Sequence, residues 1–191
     1  MKMPNFGLSK PWFAKLDPAT GKYSNAFKCG KLVETNVTPN YVTAKTYADN
    51  QVDEEVTEFR DATLAITTNS LPVVAAEMMF GHKVSETGEQ TDNADDTGSY
   101  LGYGFITREI KSGLKTYKAC VILKAKFSEG QESYKTKGEN IEFQNPSISG
   151  NAYALDNGDW RKKSPSFDTE AKADEWIKTF FGVTDGAEET A

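Results

Sequence analysis

The sequence predicts a mainly β protein: a β-sandwich or open barrel carrying one short helix and one C-terminal helix that flanks it. Three observations lead there. Apolar residues recur with period two through most of the chain, which is the signature of half-buried strands. Val, Thr, Tyr and Phe, the residues that suit a pleated surface, are well represented. Only two segments break the alternation. The chain has 191 residues, 38% of them hydrophobic and 12% aromatic, so one domain can bury its own core without a disulfide or metal staple. We read residues 1–183 as one β domain and residues 184–191 as an acidic, apolar-poor mobile tail.

Taken in order, "PWFAKL" and "KLVETNVT" are short strands. "YVTAKTYAD" sets Val42, Ala44, Thr46 and Ala48 against Tyr41, Thr43, Lys45 and Tyr47. "ATLAITT" puts Ala62, Leu64 and Ile66 on one face. "SLPVVAAEMMFGHK" breaks the period and predicts a short buried helix, with Ser70 as N-cap, Pro72 in the first turn and Gly81 as its stop. "SETGEQTDNADDTG", residues 85–98, holds nothing apolar larger than Ala and is expected to be a long loop. "SYLGYGFITREI" and "NIEFQNPSISGNAYAL" are strands interrupted by Gly or Pro. "KACVILKAKF" is the clearest strand, with Ala119, Val121, Leu123, Ala125 and Phe127 expected on one face. "SFDTEAKADEWIKTFFG" predicts the second helix, capped by Asp168 or Ser166 and ended by Gly182, with Ala173, Trp176, Ile177 and Phe180 as its apolar stripe.

Several chemistries are excluded. Cys29 and Cys120 are the only cysteines and form no CxxC pair, so we expect two reduced, largely buried thiols. His82 is the only histidine, which removes multi-His metal sites; its place after Gly81 reads as a cation at a helix C-terminus. "DNADDTG" fails as a calcium loop because Ala94 stands at a ligand position and Thr97 where a turn glycine is required. "GYGFIT" lacks the third glycine of a phosphate cradle and sits inside a strand pattern. No catalytic, cofactor or metal residues are assigned. The opening "MKMPNFGLSK" has no apolar run and no membrane-spanning stretch follows, so a cytosolic protein, or a particle assembled in the cytosol, is expected. The net charge of −6 does not suit general nucleic-acid binding.

Charge is segregated along the chain. Residues 49–58 carry five acids and no base, and residues 86–96 again carry five and none, whereas residues 108–126 carry six bases against Glu109. One reading makes all three solvated faces. The other is self-assembly, an acidic segment of one copy meeting a basic strand of the next. On that reading the 46–59 connection is an inter-subunit arm of Tyr47, Asp49, Asp53, Glu54, Glu55, Glu58 and Phe59, its aromatics serving as anchors. The complementary surface would be Arg108, Lys111, Lys115, Lys118, Lys124 and Lys126.

Three segments in order, "NVTPNYVTAKTYADNQ" (36–51), "LAITTNSLPVVAAEMMFGHK" (64–83) and "YKTKGENIEFQNPSISGNAY" (134–153), resemble the major tail protein, or tail tube, family of long, non-contractile-tailed bacteriophages (siphophages). The opening "FGLSKPWFAKLD" (6–17) and a closing helix fit the same pattern; the 85–98 loop departs from it. The resemblance implies a structural virion protein without catalysis: a β-sandwich subunit forming stacked hexameric rings, assembled in the host cytoplasm. It implies a tape-measure protein inside the tube, a tail terminator at its end, and phage DNA passing through the bore without specific binding. The arm acids would then dock on a neighbour, the arrangement we favour, or line that bore and repel phosphate. A monomeric β-sandwich binding module for carbohydrate or a cell surface is the competing reading, and it requires an exposed aromatic cluster.

Overall fold

A computed structural model describes residues 5–49, 51–111, 113–132, 136 and 145–183. The tail at 184–191 and most of the 134–144 stretch lie outside the described residues. The protein is mainly β, as the alternation predicts. Its strands are β1 (Asn5–Leu16), β2 (Tyr23–Lys28), β3 (Leu32–Ala48), β4 (Gln51–Thr68), β5 (Lys83–Val84), β6 (Gln90–Thr91), β7 (Leu101–Lys111), β8 (Leu114–Glu129), β9 (Ser147–Tyr153) and β10 (Arg161–Phe167). A helical turn, α1 (Val73–Ala75), runs into a π-helical turn over Ala76–Phe80, and α2 (Glu170–Phe181) closes the described chain. Eight strands form one antiparallel sheet in the order β2-β1-β7-β8-β9-β4-β3, with β10 also paired to β8; β5 and β6 make a separate hairpin.

The sheet folds on itself at β8, whose two halves have different neighbours. Tyr117–Ile122 pairs with β10, and Lys124–Glu129 pairs with β9. Between them β8 takes one extra residue: Leu101 faces Ala125 while Tyr103 faces Ile122. That bulge corrects the single alternation expected for "KACVILKAKF". Ala119, Val121 and Leu123 lie under α2, whereas Ala125 and Phe127 join Cys120 and Ile122 in the inner core. An extra residue inverts every side chain beyond it, and the added local twist lets one strand serve two leaves of a sandwich.

The inner core centres on Phe13, fully buried and in contact with Tyr103, Phe27 and Phe127 at ring separations of 4.8, 5.7 and 5.4 Å. Ala62, Leu64 and Ile66 enter it together, as their spacing predicts. The π-helical turn adds Met79 and Phe80, and Gly81 ends it with φ of 86°. Pro72, not Ser70, is the N-cap, and it makes no side-chain cap hydrogen bond.

The outer face of β1, β7 and β8 is covered by α2 through Ala173, Ile177 and Phe181. Thr169 caps this helix by accepting a hydrogen bond from the Lys172 amide; Asp168 instead pairs with the Lys172 ammonium. Phe181 replaces Phe180 in the fully buried stripe, and Trp176 and Phe180 pack at its margin. Buried Asp174 accepts from Trp12 Nε1 at 2.8 Å and from Lys10 Nζ at 3.1 Å, tying α2 to β1. The "GYGF" glycines make room for the helix. A Cβ on Gly102 would stand 2.6 Å from the rings of Phe181 and Tyr23, and one on Gly104 would stand 2.9 Å from Ile177. Gly102→Ala should therefore lower stability by about 1–3 kcal/mol through overpacking, read as an earlier urea midpoint at unchanged m-value.

Both cysteines are buried free thiols. Burial pushes Cys29 up to about 11, so at neutral pH it stays a protonated, inert core residue.

Candidate inter-subunit surface

The acidic segment is not a loop. It lies on β4, in a hairpin that turns after Ala48, where Asp49 takes the left-handed conformation (φ 48°). β3 and β4 pair continuously from Leu32 opposite Thr68 to Ala48 opposite Gln51, but β9 supports β4 only along Ala62–Thr67. Beyond Asp61 the two strands have no further strand partner among the described residues, and residues 41–47 and 53–58 are exposed. At about 3.3 Å per residue this arm reaches about 23 Å past its root.

Two bulges organise the arm. Arg60 is the extra residue between the pairs Asn40–Asp61 and Tyr41–Phe59, and Asp53 is extra between Thr46–Glu54 and Tyr47–Val52. The first keeps Phe59 on the core side, where it stacks on Trp160 at 4.7 Å and meets Tyr41 at 6.1 Å. Arg161 lies over Trp160 at 4.3 Å and completes the root. Phe59 and Trp160 thus hold the root of the arm to its own sheet. The same face then satisfies itself. Thr43 and Thr57 are hydrogen-bonded at 3.2 Å, and Lys45 pairs with Glu55 at 2.9 Å.

The opposite face has the pairs Val42–Glu58, Ala44–Val56 and Thr46–Glu54. It presents a short apolar strip between two carboxylates, with Val42 51% and Val56 48% exposed. Tyr47, 69% exposed, stands near the tip rather than at an anchor.

The six predicted bases do not form one surface. Lys115 and Lys126 are both on β8, eleven positions apart, or about 36 Å. Arg108 is engaged within its own chain: it pairs with Glu170 at 3.1 Å, and that carboxylate also accepts from Ser9 Oγ at 2.6 Å. Lys124 and Lys126 sit over Tyr100, at 4.9 and 5.4 Å. Lys115 is at the β7–β8 tip beside Leu114, which is 71% exposed. The side chain of Lys111 lies outside the described residues. The expectation took residues 108–126 as one surface, whereas they run from the end of β7 through the connecting turn and along most of β8.

Lys118 has different company. It lines a groove of about 450 Å³ between β3 and the β7-β8-β10 leaf, with Arg161 and Lys163 as further cations and Glu109 as the acid. Phe6, Leu8, Val37 and Phe105 give the groove apolar walls. Nearby Cys120 has its thiol raised by burial, with Arg161, Lys163 and Lys118 acting in the opposite direction, so all three cations are felt at one point. Arg161 and Lys163 come from β10, whose polar "RKKSPSF" the sequence reading did not recognise as a strand.

No described helix is long and apolar enough to cross a membrane. No protein-family model matches the chain, and no curated protein matches it.

Proposed function

We propose that this protein is a structural subunit that assembles with copies of itself into stacked hexameric rings, the tail-tube role implied by the resemblance of its three ordered segments. On this reading it resides in a virion tail, surrounds a tape-measure protein, meets a terminator at the tube end and lets DNA pass without holding it. The observation that carries the proposal is the β3–β4 arm. A lone two-stranded hairpin is marginally stable in water. Among the described residues, nothing pairs with either edge of this one, and it exposes a strip of Val42, Ala44 and Val56. Such edges and strips gain stability when a partner covers them.

The groove of a neighbouring copy is the complementary surface. Its three cations, Lys118, Arg161 and Lys163, suit Glu54 and Glu58, and its walls suit Val42 and Val56. A groove on one copy and an arm on the next make a head-to-tail contact, which closes into a ring when the rotation permits. The acids also suppress incorrect edge pairing before assembly.

Sedimentation velocity between about 0.05 and 0.5 M salt tests this, because the Debye length shrinks severalfold over that range. Oligomers should dissociate progressively as salt rises. Association that strengthens with salt would indicate apolar contact alone and overturn the arm-to-groove pairing.

A further inference from the structure

Away from the arm, three potential ligands from separated parts of the chain converge at one end of the sandwich. His82 follows the π-helical turn, Asp92 follows β6, and Glu129 ends β8. His82 Nδ1 lies 2.8 Å from Asp92 Oδ1 and 3.7 Å from Glu129 Oε1, and the three donor atoms all fall within 4.8 Å of one another. The imidazole is 8% exposed, and the ring of Phe80 covers it at 5.5 Å. It stays beside the end of the helical turn, as the sequence placed it, and its Nδ1 faces the two carboxylates.

Among the described residues, neither Asp92 nor Glu129 has a Lys or Arg within ion-pair distance, and Glu132 adds a further negative charge that acts on Glu129. Gln90 Nε2 lies 2.8 Å from both Nδ1 and Asp92 Oδ1. An amide donor on Nδ1 needs a lone pair there, whereas the 2.8 Å approach of a carboxylate needs a proton. A dication held by Nδ1 and the two carboxylates removes the need for a proton between His82 and Asp92 and leaves the Gln90 amide to donate to Asp92.

We propose that His82, Asp92 and Glu129 bind a divalent transition metal of the Zn²⁺ class, with water completing the coordination. One imidazole nitrogen with two carboxylates favours such ions over Ca²⁺ or Mg²⁺, which prefer all-oxygen sets. A tetrahedral site with ligands at about 2.0 Å has donors about 3.3 Å apart. The His82–Glu129 separation is close to that, and Asp92, 60% exposed, has the freedom to move out by about half an ångström. The ion would pin the β5–β6 hairpin to the end of β8. This site is independent of ring assembly.

The test titrates tag-free protein with Zn²⁺ alone by calorimetry, alongside hydrogen exchange over residues 83–92. One site per chain is expected, with micromolar affinity, increased protection of the hairpin, and a melting temperature raised by about 5–10 °C at hundredfold excess over Kd. Asp92→Asn, an exposed change that preserves the fold, and Glu129→Gln should each weaken binding at least about tenfold. His82→Gln should abolish it. Absence of binding, binding indifferent to all three variants, or equal competition by Ca²⁺ would overturn the assignment.

Discussion

Reversing Asp53, Glu54 and Glu58 to lysine is expected to block assembly while leaving the subunit folded. The arm geometry decides which acids to reverse. Glu55 is opposite Lys45 and in ion-pair contact with it, so Glu55→Lys would set like charges directly across the ladder and disturb the arm itself. Glu54 and Glu58 stand on the other face, opposite Thr46 and Val42, and Asp53 sits at a bulge. Their reversal changes what the arm presents rather than how it pairs. Surface ion pairs generally contribute up to about 1 kcal/mol each, so three reversals should weaken one contact by roughly a hundredfold. A ring requires every contact, so the loss compounds. Circular dichroism should be unchanged and the sedimentation coefficient should fall to that of the monomer. Replacing Lys118 and Lys163 with glutamate in the same protein, and keeping Arg161 at the arm root, should restore association in part. Wild-type assembly by the triple variant would mean that the acids are only a solvated face.

Phe13→Ala should have the largest effect on stability. Phe13 is fully buried, and three aromatic rings from β2, β7 and β8 meet it. Truncation removes their shared contact and leaves a cavity that stiff strands cannot close, at a cost of about 3–5 kcal/mol. A domain of ordinary stability has about 5–15 kcal/mol in total. The melting temperature should fall by roughly 10 °C, measured at fixed protein concentration and low enough to avoid assembly. Phe13→Leu, which keeps most of the volume, should lose much less. A shift under about 2 °C for Phe13→Ala would place the core elsewhere.

Residues with strong local signals were legible in the sequence. Ala62, Leu64 and Ile66 share a face because nothing interrupts their strand, and Gly81 and Gly182 end their helices in left-handed conformations as glycine favours. The two faces of the arm also separate as Val42, Ala44 and Thr46 against Tyr41, Thr43 and Lys45. Bulges defeated the reading elsewhere. The extra residue near Leu123 in β8 depends on a strand with two different neighbours, which no local pattern encodes. β2 and β10 were missed because they pair at sheet margins and carry few buried side chains, so they lack a clean alternation. The five acids at 49–58 were visible as a charge anomaly, but Glu and Asp disfavour strands, and β4 forms there only because β3 provides a continuous ladder. The groove brings Phe6, Val37, Lys118 and Arg161 together across most of the chain, a proximity that only the fold creates.

Self-association is the central claim, and negative-stain electron microscopy of the concentrated, purified protein tests it most directly. Six-fold rings or hollow tubes of uniform width are the predicted result. A field of single, monomer-sized particles at every concentration and at low salt would contradict it.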